Sequence, residues 1–213
     1  MAAAIVASWF GPMAMTLAAP DALWLPPPRP ASAVSVEEAL ASRRSVRHFA
    51  DAPLTLADAA QLVWAAQGIT HAEGLRTAPS AGALYPLEVY LVAGAVVTVP
   101  AGVYRYLPAP HRLERTVAGD RRRALAVAAF HQSWIAEAPA ILVIAAVVRR
   151  TRLKYGERGE RYVHIEAGHA AQNVGLQAVA LGLGTTLVGA FADAEVKRLL
   201  GLGSPHETEK IVR

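Results

Sequence analysis

The chain of 213 residues contains no cysteine. Disulfide bonds, zinc–thiolate sites, iron–sulfur clusters and cysteine nucleophiles are therefore excluded. Positive charge is also lacking at the start, because no Lys or Arg precedes Arg29. A secretory signal begins with a positively charged region, so the apolar first 25 residues do not resemble one. Pro12 and Pro20 interrupt this stretch, and no segment predicts a membrane span. We expect a cytoplasmic protein.

Hydrophobic residues make up 54% of the chain, and much of the excess over an ordinary soluble protein is alanine. This composition predicts large buried helix surfaces, such as those of an obligate oligomer. The segment Leu25-Pro26-Pro27-Pro28-Arg29-Pro30 predicts a stiff, extended linker. We therefore expect residues 1–30 to form an apolar extension and residues 31–213 to form one domain. Met13 and Met15 are alternative starts.

The net charge of +4 comes from arginine, which clusters at residues 121–123 and 149–154. Such a balance suits phosphate-bearing small molecules as well as nucleic acid. The chain shows no recognition helix, no zinc finger and, with 7% aromatic residues, no aromatic-rich RNA platform. We expect no binding of nucleic acid.

Capping and periodicity signals interleave helices with strands. Ser35 with Glu38, and Thr55 with Asp58, predict helix starts, and Gly68 predicts a helix end. The patterns predict helices to about residue 41, through residue 64, over 119–136, over 158–181 and from Asp193 to about residue 200, with strands over 89–92, 102–107, 112–114, 141–148 and 185–191. This alternation predicts an α+β domain in which helices flank a mixed or antiparallel central sheet.

The stretch Pro79–Glu88 is rich in Ser, Ala and Gly. Small side chains let main-chain N–H and C=O groups approach a flat ligand closely. Pro86 then directs the chain into the following strand. An ordinary turn is the alternative interpretation.

Two polar motifs carry candidate chemistry. Arg43, Arg44, Ser45 and Arg47 could hold a phosphate through forked, charge-assisted hydrogen bonds, although a solvated basic turn has the same composition. Lys154-Tyr155 is a candidate proton-transfer pair, because a neighbouring ammonium favours the deprotonated form of a phenol. A surface loop with ordinary charges is the alternative there.

Other polar residues do not form a metal site. His164, Glu166 and His169 do not share one helix face, so no metal is expected. Glu166, His169, Gln172 and Asn173 lie on one side of the predicted helix and suit polar contacts at a helix or subunit interface. The sequence Gly182-Leu183-Gly184 lacks the third glycine of a dinucleotide fingerprint, whereas Gly189 suggests close approach by a ligand.

Together and in this order, the motifs resemble the nitroreductase superfamily of FMN proteins. Within it they are similar to the SagB-type dehydrogenases (the SagB/ThcOx group), which include enzymes that oxidise thiazolines and oxazolines in modified peptides. The resemblance covers residues 35–202. It is carried by Arg43-Arg44-Ser45-Val46-Arg47-His48-Phe49, Pro79–Glu88, Lys154–Arg158, Glu166–Asn173, Gly182–Gly184 and Val188–Phe191.

The resemblance implies a homodimer with the long buried helix at its interface and two FMN sites built from both subunits. The residues that match the family's FMN phosphate and flavin-edge contacts are Arg43, Arg44, Ser45 and Arg47. Pro79, Ser80, Ala81 and Gly82 would pass along the isoalloxazine, contributed by the other subunit. Val188 and Gly189 would supply a backbone N–H near flavin N5.

The resemblance further implies that Tyr155, assisted by Lys154, removes a Cα proton while a hydride passes to N5. Ala83 and Tyr85 stand where ordinary nitroreductases carry Asn and Gln, which favours the SagB-type group. The alternatives are an NAD(P)H-dependent nitroreductase or flavin reductase and a non-catalytic FMN-binding protein. Because the chain stops at Arg213, we expect it to lack the strand that relatives carry after the last helix.

Overall fold

The computed structural model describes residues 22–202 and 209–211. Within this part, one six-stranded sheet has the order β1-β4-β3-β2-β5-β6, and every neighbouring pair is antiparallel. The strands are β1 (Ala22–Trp24), β2 (Leu87–Ala93), β3 (Gly102–Leu107), β4 (Arg112–Ala118), β5 (Ala140–Val147) and β6 (Glu209–Ile211).

The helices flank this sheet, and the first two begin at the predicted capping residues. Ser35 Oγ accepts a hydrogen bond from Glu38 N at 3.1 Å, and Thr55 Oγ1 accepts one from Asp58 N at 3.0 Å. The helices are α1 (Val36–Ser42), α2 (Leu56–Gln67), α3 (Arg122–Ala128), α4 (Trp134–Glu137), α5 (Val148–Tyr155), α6 (Arg158–Ala180) and α7 (Asp193–Leu200), with a 3₁₀ turn at Ala81–Ala83.

The core lies on both faces of β2, all of whose residues are buried. Because side chains alternate along a strand, Val89 and Leu91 pack in the cluster that includes α2. Tyr90 and Val92 point to the other face and pack in the cluster that includes α3 and α7. A third cluster, which contains Leu87 and residues of α6, packs at the N-terminal end of β2.

The predicted strand over 185–191 is wrong. That segment makes a parallel bridge from Thr185 to Ser45 and is otherwise irregular, because it lies beside the Arg43–Arg47 segment and not beside a strand of the sheet. The predicted helix over 119–136 is divided into α3 and α4. Phe130 and His131 take positive φ values of 57° and 63°, which no helix accommodates.

Three elements were not expected from the sequence. Residues 148–155 form the helix α5 where a strand end and a loop were predicted. Ala22–Trp24, inside the predicted extension, pair with β4. A strand also follows α7 where none was expected, since Glu209–Ile211 pair with β5.

The long helix α6 is confirmed to within one residue. Its apolar second half is not fully covered in the single chain, where Val174, Leu176 and Val179 remain half-buried. No helix of the described residues is long and apolar enough to cross a bilayer.

We expect Leu91→Ala to lower the free energy of unfolding by about 2–5 kcal/mol, because the side chain is fully buried on the central strand. Leu153→Ala is the matched control, since that side chain is 76% exposed and its loss should cost less than about 0.5 kcal/mol. Urea unfolding followed by circular dichroism measures both. Equal losses in the two variants would contradict the packing described for β2.

Candidate active site

The stretch Pro79–Tyr85, here called the turn, is exposed at its tip and strained. Gly82, Ala83 and Tyr85 have φ values of 63°, 54° and 45°, in the left-handed region that costs non-glycine residues about 1–3 kcal/mol each. Ser80 stabilises the bend internally, because its Oγ accepts a hydrogen bond from Tyr85 N at 2.9 Å and its carbonyl accepts one from Ala83 N. Strain of this kind is concentrated at functional sites.

Two side chains of α6 hold the turn and the residues just before it through hydrogen bonds to their backbone. The carboxylate of Glu166 accepts a hydrogen bond from Ala81 N at 2.9 Å and a second one from the Ser80 hydroxyl. Asn173 Nδ2 donates to Thr77 O at 3.1 Å, just before the turn. Glu166 and Asn173 are seven residues apart, about two helical turns, so they present to the same side of α6.

Glu166 is itself buried, with 4% of its surface exposed. Burial raises the pKa of its carboxyl group, whereas the hydrogen bonds from Ala81 N and Ser80 and the charge of His169 lower it. A buried carboxylate is tolerated only when its oxygens are satisfied, and here the turn satisfies them. The turn and Glu166 therefore stabilise one another.

Lys154 and Tyr155 form the last turn of α5 and meet the tip of the turn. A methyl group placed on Gly82 would lie 2.7 Å from Lys154 Nζ and 2.8 Å from Tyr155 Oη. Both polar atoms therefore lie against the glycine, and a larger residue there would have to displace them. The Tyr155 ring is held edge-on by Tyr162, with the ring centroids 5.1 Å apart. The structure thus brings together the predicted proton-transfer pair and the predicted ligand-facing turn.

A buried carboxylate fixes α5 relative to the turn. Glu88 Oε1 accepts from Arg150 Nη1 at 2.7 Å, and Glu88 Oε2 accepts from Arg105 Nη2 at 3.1 Å. Arg150 Nη1 also donates to Tyr85 O at 3.0 Å. Because Arg150 lies one helical turn before Lys154, this contact sets the position of the Lys–Tyr pair over Gly82.

The Arg43–Arg47 segment forms a second group, beside residues 184–189. Val46 N donates to Thr185 O at 2.9 Å, and the side chain of Val46 fills the space over Gly184. Arg43 packs its side chain on Gly175 of α6, and the Arg47 guanidinium lies 5.9 Å from the centre of the Trp134 ring.

Arg44 points elsewhere, because its guanidinium donates to Ala41 O and Arg43 O at the end of α1. Ser45 and Arg47 are exposed, and in the part of the chain that the structure describes no carboxylate pairs with Arg43 or Arg47. Two guanidiniums and a hydroxyl are thus available to an anion.

Gly189 is exposed and open, since no atom lies within 4 Å of where a side chain would begin. Val188 next to it is half-buried and packs in the core cluster of α3 and α7. The open backbone at Gly189 lies on the same segment as Thr185, which bridges to Ser45. Candidate N–H donors and candidate phosphate ligands therefore occupy one neighbourhood.

The predicted site residues thus form two groups in one chain. Arg43 contacts α6 at Gly175 and Ala81 contacts it at Glu166, which is nine residues or about 13 Å along the helix. The first group offers anion binding and open backbone, and the second offers a proton-transfer pair beside a small-residue turn.

Sequence reasoning missed the residues that support these groups. Glu166 and Asn173 were recognised as sharing a face, but their partner, the backbone of residues 77–81, has no local signal. Arg150 was seen as one arginine of a basic run, and Glu88 as one carboxylate of the turn. Among the described residues no group of three or more His, Asp or Glu side chains could hold a metal ion.

Comparison with known proteins identifies relatives over most of the chain. The model described as the nitroreductase family matches residues 40–212. A protein of Methanocaldococcus jannaschii whose name assigns it to the nitroreductases is 48% identical over 167 residues, which cover 78% of this chain and 84% of that protein. The microcin B17-processing protein McbC of Escherichia coli is 30% identical over 133 residues, which cover 60% of this chain and 48% of McbC.

A crystal structure of a Ralstonia eutropha protein, also named as a nitroreductase, superposes with a TM-score of 0.78 at 29% identity, covering 91% of this chain and 87% of that one. The predicted nitroreductase-like α+β fold is thereby confirmed. Since the family model matches more than half of the chain and the archaeal relative is similar over most of its length, this chain belongs to the nitroreductase family of oxidoreductases.

Proposed function

We propose that the protein is an FMN-dependent oxidoreductase of the SagB type, which acts in the cytoplasm as a homodimer on azoline-containing or other small or peptidic substrates. The observation that carries this proposal is the contact of Lys154 Nζ and Tyr155 Oη with Gly82 of the turn. This contact supports the proposal because it brings a candidate acid–base pair against the small-residue turn that would face the flavin.

The residues present fit FMN. Arg43 and Arg47 offer guanidiniums without a described carboxylate partner, and Ser45 adds a hydroxyl, which suits the phosphate and the polar edge of the flavin. The backbone at Gly189 is open, and the small residues of the turn meet the ends of Lys154 and Tyr155 at Gly82. When bound, FMN would supply a two-electron acceptor that takes a hydride from the substrate.

The chain's own residues would carry the proton chemistry. Tyr155 would accept the proton that leaves the substrate carbon, and Lys154, whose Nζ also lies against Gly82, would assist it. Ser80 and Glu166 would keep the turn, and therefore the space over Gly82, in one geometry. Arg43, Ser45 and Arg47 would bind and orient the cofactor rather than react.

The relation to McbC, a microcin-processing protein, supports the SagB-type assignment, as do Ala83 and Tyr85 in the turn. The archaeal relative supports a second candidate, an NAD(P)H-dependent nitroreductase or flavin reductase, because it is named as a nitroreductase and is 48% identical. The two candidates share the fold and the cofactor, and they differ in whether Tyr155 is needed.

The proposed homodimer would use the exposed side of α6. Ile165 on this side is 49% exposed, and no atom lies within 4 Å of where a side chain on Gly168 would begin. An apolar residue and an open glycine on a long helix suit close packing against a second copy of that helix. Beyond the first turn of α6, the exposed residues of this side are His164, Ile165, Gly168, His169 and Gln172.

We expect the purified chain to bind one FMN per polypeptide. The Arg43→Gln, Arg47→Gln double variant should bind at least tenfold more weakly, because both charge-assisted contacts to the phosphate are lost. Ultrafiltration with visible absorbance of the retained flavin measures both affinities. A protein that stays colourless with excess FMN would contradict both candidate functions.

Tyr155→Phe should keep FMN affinity and lose about a hundred- to ten-thousandfold in turnover of a thiazoline-containing peptide in air, because the proton acceptor is removed. The product is followed by the loss of two hydrogens in mass. Tyr162→Phe is the control, since it removes a hydroxyl from the neighbouring ring and leaves the ring contact intact.

Full thiazoline turnover by Tyr155→Phe would refute the role given to this tyrosine. If the wild type leaves the thiazoline unchanged but consumes NAD(P)H with a nitroaromatic acceptor, the second candidate is the correct one.

Gly82→Ala should lower turnover on the order of a hundredfold, because the added methyl displaces the ends of Lys154 and Tyr155. Gly74→Ala imposes a comparable backbone strain, with φ of 81°, but meets no atom within 4 Å. Both variants should lose about 1 kcal/mol of stability by thermal unfolding, and only the first should lose activity. A similar loss of activity in both would indicate that strain alone is responsible.

A further inference from the structure

Positive charge is concentrated in one stretch, residues 149–161. This stretch holds six of the 21 Lys and Arg but only two of the 17 Asp and Glu. The remaining 15 basic and 15 acidic residues cancel, so the stretch alone accounts for the net charge of +4. It comprises α5, the short connection and the start of α6.

Only part of this charge is neutralised within the fold. Arg150 pairs with the buried Glu88, and Arg152 pairs with Glu157. Four cations remain exposed without an ion-pair partner among the described residues: Arg149, Lys154, Arg158 and Arg161.

The fold gathers these cations around the candidate catalytic pair. Gly159 lets the start of α6 lie directly against α5, since a side chain there would come within 2.9 Å of Arg152 N. Arg158 and Arg161 are therefore carried next to α5, whose last turn holds Lys154 and Tyr155. Arg158 is the first residue of α6, where the positive end of the helix dipole adds to the positive charge of the side chain.

An apolar side chain lies within this charged surface. Leu153 is 76% exposed and is one helical turn after Arg149, on the same side of α5. Isolated exposed leucines are ordinary on protein surfaces. Beside four unpaired cations at the mouth of a site, however, it offers a contact for a neighbouring side chain of a bound chain.

We propose that Arg149, Leu153, Arg158 and Arg161 form a docking surface for an acidic segment of a peptide substrate, which guides the reacting residue to Lys154 and Tyr155. The proposal rests on the proposed function, because it assigns the substrate class of the same site. Arg149 and Lys154 alone are about 7 Å apart along the helix axis. That spacing suits several carboxylates on an extended chain better than one small anion.

A nucleic acid is the less suitable partner. Single strands are bound by grooves that combine cations with aromatic rings on which bases stack. Here Tyr155 and Tyr162 pack edge-on against each other. The exposed non-polar group is an aliphatic leucine, which suits a peptide side chain.

The test measures binding by fluorescence anisotropy of a labelled peptide of six glutamates at low ionic strength, without added FMN. The triple variant Arg149→Gln, Arg158→Gln, Arg161→Gln should raise the Kd about tenfold, at roughly 0.5 kcal/mol for each exposed charge. The control triple variant Arg121→Gln, Arg123→Gln, Lys197→Gln removes the same charge from the start of α3 and from α7, and it should bind as the wild type does.

The outcomes separate this proposal from the proposed function. Equal weakening in both triple variants would show that net charge alone is responsible and would overturn the proposal, as would absent binding by the wild type. Tighter binding of a labelled oligothymidine than of the peptide would overturn it in favour of nucleic acid. The result of the FMN titration does not depend on this test, because peptide binding is measured on the protein without flavin.

Discussion

The carboxylate of Glu88 is the contact on which the geometry of the site depends. It is buried at the start of the central strand and lies between Arg105 of β3 and Arg150 of α5. Burying a carboxylate costs several kcal/mol, and two guanidiniums offset that cost only while both are in place. Strand pairing prepares the arrangement, since Val147 N donates to Pro86 O at the end of the β2–β5 ladder. The pairing of β2 with β5 therefore brings the turn before β2 next to α5, which follows β5.

The long helix supplies the second constraint. The turn contains three residues with positive φ, and a strained backbone of this kind persists only when surrounding contacts hold it in place. Glu166 from α6 holds the turn by accepting hydrogen bonds from Ala81 N and from the Ser80 hydroxyl. Burial raises the pKa of its carboxyl group. If Glu166 were protonated, it would be a weaker acceptor for both donors. The geometry of the turn is thus coupled to the ionisation of Glu166.

Local signals in the sequence predicted the parts of the fold that depend on local physics. Ser35, Thr55 and Gly68 marked helix ends correctly, because capping is decided within one turn of the helix. Alternation placed β3 correctly for a similar reason, but it found only the first three residues of β4. The segment 185–191 was mistaken for a strand, because its apolar residues pack in the core although its backbone is irregular. The bridge from Thr185 to Ser45 fixes this backbone. Long-range pairing has no local signature.

The same distinction applies to the site. Lys154, Tyr155 and the turn were singled out by residue type, and the structure brings them into contact at Gly82. Glu166 and Arg150 were not assigned to the site, because their role depends on which backbone lies opposite them after folding. The resemblance to a family identified the candidate reacting residues, whose types are constrained by chemistry, more readily than the residues that position them.

The eight residues of α5 face three different surroundings: the core, the turn with Glu88, and solvent. Val148 and Thr151 point inward and are buried against the sheet and α6. Arg150 and Lys154, one turn apart, point toward Glu88 and the tip of the turn. Arg149 and Leu153 remain exposed on the third side. Because successive residues of a helix are rotated by about 100°, a structural, a positioning and an exposed function can be interleaved within two turns. The basic residues that resembled a surface run in the sequence are therefore of two kinds, those that face the turn and those that remain exposed, and helical geometry separates them.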